Sequence, residues 1–210
     1  MNIEIWSDFA CPYCYIGEKK LEKAIAEVKL KSPVEITFRS FQLNVDAVSY
    51  NGENINTLIS KKYGISLDEA KVANDNVVSL AAEVGLNFDF EHLKPGNTAL
   101  AHEVLKYSNL IGKGNEIARR IFSAYFEEGI DIGDKKNLLE LAEKAGIDKN
   151  SLQLVLKFKK YTRAVIKDQK KAFQLGIKSV PFFIINNKYS ISGAQSVDYF
   201  KMALEKANED

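Results

Sequence analysis

The chain has 210 residues, 46% of them hydrophobic, which is enough to bury a core of ordinary density and argues against a disordered protein. Its 29 Lys and Arg nearly cancel its 28 Asp and Glu and lie scattered in short mixed runs, so no basic face is expected and nucleic acid is not an expected partner. The longest apolar stretch runs only from Val180 to Ile185, against roughly 20 residues for a membrane-spanning helix, so a soluble protein with no membrane partner is expected.

Residues 2 to 9 alternate and are rich in Ile, with one Trp, which predicts a short strand. Nothing after Met1 resembles the basic and apolar regions of a secretory signal, so the expected compartment is the cytoplasm. Leu21, Ala24, Ile25 and Val28 recur at helical spacing and predict one apolar helix face, and residues 34 to 42 repeat the strand signal through Ile36, Phe38 and Phe41. Strand, helix and strand make a βαβ-like unit, with Cys11 and Cys14 at the first strand-to-helix junction.

From about Asn44 to Arg163 the patterns are helical. Ser66-Leu67-Asp68-Glu69 reads as a capping box opening a helix through Val72 to Leu86. Asp134 reads as a second N-cap, followed by Leu138, Leu139, Leu141, Ala142 and Ala145, with Gly146 as the left-handed stop. Strand character returns at residues 182 to 186 and 189 to 192, with Asn187-Lys188 as the expected hairpin turn. Gly193 breaks the pattern, and Val197, Phe200 and Leu204 mark a last amphipathic helix. The two ends therefore form a small α/β unit of about four strands, and the middle is a helical excursion that returns to the same sheet.

The segment Cys11-Pro12-Tyr13-Cys14 carries the chemistry. A dithiol enzyme needs one accessible thiolate to attack a disulfide and a second thiol near enough to resolve the mixed disulfide. Spacing of three on a helix provides both. At the helix N-terminus, unpaired amides and the dipole favour the Cys11 thiolate, Pro12 enters the first turn without losing a hydrogen bond, and Cys14 one turn in should stay protonated. Structural use is weak, because so short a loop offers roughly 2 kcal/mol of closure entropy and the cytosol is reducing. Two other readings compete: an inert buried pair, or a zinc half-site. The zinc reading suffers because the chain has no further cysteine and only His92 and His102, ten residues apart. Val180-Pro181-Phe182 is the second informative segment. Pro181 is either a cis-proline that turns the preceding backbone outward, leaving Val180 to pair with an extended substrate, or a proline that merely opens a strand. Asp8, if buried, is a candidate proton acceptor or else a cap for the following turn.

Read together, the run from Asp8 to Gly17, Val180-Pro181-Phe182-Phe183-Ile184 and Gly193-Ala194-Gln195 closely resemble the DsbA-like family of the thioredoxin superfamily, and most nearly its FrnE-type branch. Phe41-Gln42-Leu43-Asn44, Asn97-Thr98 with Ala101-His102, and Ala124-Tyr125-Phe126 through Asp131-Ile132-Gly133-Asp134 extend the likeness over nearly the whole chain. The resemblance implies an α/β thioredoxin fold with a large all-helical insertion. Residues 1–43 and 164–210 would form a discontinuous thioredoxin-like domain, and residues 44–163 the insertion domain. It further implies a catalytic Cys11, a resolving Cys14 and a cis Pro181. Substrate would meet Pro12, Tyr13, Val180 and Pro181, with Asn97 and His102 facing the redox cleft from the insertion. Gln195 would support the last helix. Many members of that branch carry Trp where this chain has Tyr13, and Pro-Tyr is the pair associated with glutaredoxins, so the reduction potential stays open. The expected partners are protein or low-molecular-weight thiols and disulfides, with no bound cofactor or metal and glutathione as a candidate co-substrate. The rival enzyme class comes from relatives with this fold, the 2-hydroxychromene-2-carboxylate isomerases and kappa-class glutathione transferases, which use a serine near the position of Cys11. A non-catalytic binding or chaperone role is the third reading.

Overall fold

Alternation in Asn2–Ser7 (β1) sends Ile3 and Ile5 to one face and Glu4 and Trp6 to the other, and both faces are covered. The computed structural model describes residues 1–209. In it β1 lies inside a four-stranded sheet of order β2-β1-β3-β4, where β2 is Glu35–Ser40, β3 is Phe182–Ile185 and β4 is Tyr189–Ser192. β1 pairs parallel with β2, placing Ile5 opposite Phe38, and antiparallel with β3, placing it opposite Phe183. A chain that opens on a parallel pair and closes on a hairpin along the same sheet is the expected α/β thioredoxin architecture.

Pro12–Glu27 (α1) and Val197–Glu209 (α9) pack together over the Ile3 and Ile5 face, joining Leu21, Ala24, Phe200 and Leu204 to Phe38, Phe183 and Ile185 in one buried cluster. Trp6 faces the other way, against Ala172 of Thr162–Gln174 (α8) and Ile177. Between β2 and α8 lie α2 (Ile55–Tyr63), α3 (Leu67–Ala82), α4 (Ala99–Leu110), α5 (Gly114–Phe126), α6 (Lys135–Lys144) and α7 (Lys149–Lys157). This is the helical insertion. Its ends follow local chemistry: the Ser66 hydroxyl and Glu69 carboxylate form the reciprocal capping box of α3, Asp134 caps α6 by accepting the Asn137 amide, and Gly146 follows α6 with φ 72°.

The hairpin turn falls one residue earlier than expected. Asn186 and Asn187, not Asn187 and Lys188, are the turn's centre, with φ of 50° and 56°, and the Ile185 carbonyl accepts the Lys188 amide at 3.0 Å. Asn186 leaves the strand because both ends of its amide side chain are taken up: Oδ1 accepts the Asn2 amide and Nδ2 donates to the Ala207 carbonyl. β1 likewise stops at Ser7, because the Phe9 ring turns away to pack on His102 and Phe122.

An aromatic stack fastens the insertion to α1. Tyr15 lies parallel to Phe122 of α5 at 5.2 Å, and Phe88 stacks on Phe126 at 4.7 Å and on Tyr15 at 6.0 Å. A buried ion pair fastens it to the sheet: Lys106 of α4 meets Asp168 of α8, whose carboxylate also accepts the Ser40 amide at the end of β2 at 2.8 Å. Among the described residues no helix is long and apolar enough to cross a membrane.

Candidate active site

β1 gives way to α1 through a single tight turn in which the Asp8 carbonyl accepts the Cys11 amide at 3.1 Å. Pro12, with no amide to lose, takes the first helical position, which makes Cys11 the N-cap residue with extended backbone (φ −96°, ψ 110°). The Cys14 amide reaches the Cys11 carbonyl at 3.0 Å, so the two cysteines bracket the first turn of one helix. Both are free thiols. Cys11 keeps 5% of its surface exposed and Cys14 none.

Opposite the helix start lies the Val180–Pro181 bond, which is cis. The Cys11 thiol faces the Val180 carbonyl with sulfur and oxygen 3.6 Å apart, and the Pro181 carbonyl accepts the Gly193 amide at 2.8 Å. Gly17 allows this approach. A methyl group there would sit 3.1 Å from the Pro181 ring, 3.2 Å from Phe183 and 3.3 Å from Ala194, so a side chain at this position would crowd the loop against α1. The Gln195 side chain donates to the Ser192 carbonyl and stays within the β4-to-α9 turn.

The two thiols are driven in opposite directions. A hydrogen bond from the Cys14 thiol holds the Cys11 pKa below its ordinary value; burial opposes this, the amides of Cys14 and Tyr13 assist it, and the Asp8 charge works against it. Burial, followed by the proximity of Cys11, pushes the Cys14 thiol far up. The two thiols are thus distinguished by environment, Cys11 favoured as thiolate and Cys14 as thiol.

Asp8 sits behind the turn. Burial alone would raise its pKa, but the His102 ring and charge, the Leu43 amide and the Thr98 hydroxyl outweigh burial and hold the carboxyl low. Its Oδ2 accepts the Leu43 amide at 2.7 Å, and Oδ1 lies 3.3 Å from His102 Nε2. His102 is 1% exposed, its Nδ1 has no partner, and Asp8 stands between it and the turn. Asn97 lies outside this constellation. Its Nδ2 donates to the Ala47 carbonyl at 2.7 Å and its Oδ1 accepts the Ala99 amide, so it joins the start of α4 to the segment following β2. Tyr13 is 44% exposed beside the two thiols, whereas Pro12 is partly covered.

A cavity of about 590 Å³ adjoins this centre, with Asp8 and Ala10 in its wall together with Leu43, Leu58, Ile59 and Tyr125. Motif reading assigned no role to two features that matter here: the Leu43 amide fixes Asp8, and Tyr125 lines the cavity. Tyr125 lies in a matched stretch, but its orientation depends on α5 packing 114 residues downstream of Cys11.

The family model described as DSBA-like thioredoxin domain matches residues 2–205. The uncharacterized protein YwbO of Bacillus subtilis is 30% identical over 206 residues, 97% of this chain and 96% of that protein. Among solved structures, the probable DsbA oxidoreductase SCO1869 from Streptomyces coelicolor superposes with a TM-score of 0.93 at 33% identity, covering 99% of this chain and 89% of that one. A 2-hydroxychromene-2-carboxylate isomerase matches with a TM-score of 0.72 at 14% identity, over 98% and 95% of the two chains. The cytosolic disulfide reductase DsbM from Pseudomonas aeruginosa matches with a TM-score of 0.67 at 17% identity over 98% of each chain, and a further DsbM structure is described with GSH. The likeness to the isomerase and to DsbM is one of fold.

Proposed function

Because this chain belongs to the DSBA-like thioredoxin domain family, we propose that it is a thiol–disulfide oxidoreductase working through the dithiol of Cys11-Pro12-Tyr13-Cys14. One observation carries the reading: the N-cap Cys11 faces the Val180 carbonyl while Cys14 lies fully buried one turn behind it. In the reducing direction the Cys11 thiolate attacks one sulfur of the substrate disulfide, forming a mixed disulfide and expelling the other sulfur as a thiolate. That thiolate takes the Cys14 proton. Cys14 then attacks Cys11, the second substrate thiolate departs, and two electrons have passed from the dithiol to the substrate. Pro12, Tyr13, Val180 and Pro181 frame the incoming chain, with the Val180 backbone pairing with it. Asn97 and His102 serve the same face at one remove, through the segment after β2 and through Asp8.

Glutathione is proposed as the low-molecular-weight thiol that recycles the centre, and the cytosol as its compartment; the description of DsbM as cytosolic and the GSH-containing DsbM structure support both. We also retain as proposals the division into a thioredoxin-like domain of residues 1–43 and 164–210 and an insertion domain of residues 44–163.

The test is a trapping experiment in cytosol. Cys14→Ser should accumulate mixed disulfides through Cys11, and Cys11→Ser should form none. Full turnover of Cys14→Ser in a glutathione-dependent isomerisation, with no disulfide exchange by the wild type, would replace this reading with the isomerase one.

A further inference from the structure

Ile55 ties α2 to the edge of the core, but no residue of α2 is fully buried, and Leu58 and Ile59, each half-buried, line the 590 Å³ cavity with Leu43, Val48 and Pro95. That volume suits a whole small molecule, within the range of about 300 to 1,000 Å³ typical of such sites. The cavity wall includes Asp8 and Ala10 of the turn that carries Cys11, although Cys11 itself does not line it, so a molecule held there would lie on the Asp8 side of that turn, within reach of a disulfide extending toward the sulfur.

Tyr125 supplies the polar contact. It is 2% exposed, its ring packs edge-on against Phe126, and its hydroxyl makes no hydrogen bond to the protein although it lines the cavity. The phenol oxygen is not one of the sealed, unpaired polar atoms of the core but opens on the cavity, where a ligand acceptor can take its hydrogen bond. The sign of the neighbouring charge narrows the ligand. Burial, and after it the charges of Asp8 and Asp131, keep the phenol protonated and able to donate, and the two carboxylates disfavour a further anion beside them. The two lysines in the wall are engaged elsewhere: Lys61 pairs with Glu53, and Lys62 lies over the Tyr63 ring.

We propose that this cavity is a specificity pocket for a low-molecular-weight disulfide whose non-reacting half is apolar and carries a neutral oxygen acceptor, such as a carbonyl, that binds the Tyr125 hydroxyl. The pocket rests on the oxidoreductase reading for its place beside the reacting sulfurs. Cys11 attacks the sulfur nearer to it, the S–S bond of the ligand breaks, and the pocket-bound half either remains as the mixed disulfide or leaves as a thiolate; Cys14 completes the two-electron exchange as above.

Single-turnover oxidation of the reduced full-length protein tests this with three probes: bis(4-acetamidophenyl) disulfide, bis(4-carboxyphenyl) disulfide and hydroxyethyl disulfide. The acetamide probe should react at least tenfold faster than the carboxylate. Tyr125→Phe should lower the ratio of acetamide to hydroxyethyl rates about fivefold, the equivalent of one neutral hydrogen bond. Leu58→Trp, which adds bulk from the half-buried cavity wall, should lower the same ratio. Taking ratios cancels any general damage to the dithiol. An unchanged ratio in both variants overturns the pocket, as does reaction with hydroxyethyl disulfide and insulin without preference among the aryl probes. Calorimetry with the unreactive thioether 4-acetamidothioanisole separates the two readings. Binding by wild type but not by Leu58→Trp, without any disulfide turnover, would keep the pocket and sink the oxidoreductase; turnover without binding would do the reverse.

Discussion

At Cys11 the thiolate is held first by the Cys14 thiol and then, against burial, by two amides of the helix start, while the Asp8 carboxylate opposes it. Each contribution has a sign that substitution reverses. Cys14→Ala removes the strongest support, so the pH midpoint for Cys11 alkylation should move up. Asp8→Asn removes the opposing charge and should move it down. Brief iodoacetamide labelling across a pH series, with mass mapping, reads both. In the wild type the label should appear on Cys11 well before Cys14, whose burial keeps it protonated. Preferential labelling of Cys14, or midpoints that move the other way, would remove the division of roles. The placing of Cys11 and Cys14 on the first turn of one helix was legible in the sequence, because Pro12 marks a helix start and the spacing of three spans one turn. The Leu43 amide on Asp8 was not, since it depends on how the segment after β2 returns to the turn.

On α1, one turn beyond Cys14, Glu18 is fully buried. Burial and the neighbouring Glu22 raise its pKa to about 7 against the opposing pull of Arg119, whose Nε lies 2.7 Å from Oε1; the other oxygen has no partner. The folded form therefore keeps a proton that the unfolded chain, with an ordinary value near 4.5, has already released. More protons bound in the folded state means that stability falls as pH rises from about 4.5 to about 7, by on the order of 3 kcal/mol for a shift of this size. Glu18→Gln should abolish that slope, so its thermal midpoint should gain on the wild type by several degrees between pH 5 and pH 8. Parallel pH profiles for the two proteins would refute the assignment. The helix itself follows from Leu21, Ala24 and Ile25, but the carboxylate's environment does not: Arg119 stands 101 residues away on α5.

Across the whole molecule, the insertion and the sheet are joined by the Tyr15–Phe122 stack and by the buried Lys106–Asp168 pair, which binds α4 and α8 to the Ser40 amide. Removing Lys106 leaves the buried Asp168 carboxylate with the Ser40 amide and the more distant Arg39, 3.8 Å away, so the loss should fall below the roughly 3 to 5 kcal/mol of a fully orphaned buried charge, whereas removing both partners leaves no such deficit. Lys106→Met should therefore destabilise in urea melts, and Lys106→Met combined with Asp168→Leu should recover part of that loss. A double variant as unstable as the sum of the two single variants would mean that the pair is not coupled.

What the sequence determined by itself was local or periodic: the strands and helices, the caps at Ser66 and Asp134, the left-handed stop at Gly146 and the placing of Cys11 at a helix N-terminus. Each depends on neighbours within a few residues, so spacing and side-chain chemistry suffice. The one-residue error at the hairpin arose where a long-range demand took over, since Asn186 is held by Asn2 and Ala207. Tertiary structure alone decided that the Val180 carbonyl meets Cys11 across 169 residues, that Asp8 is fixed by His102 and the Leu43 amide, and that the Tyr125 hydroxyl ends without a partner in a cavity. These are matters of desolvation and of contact between distant segments, and no local pattern encodes either.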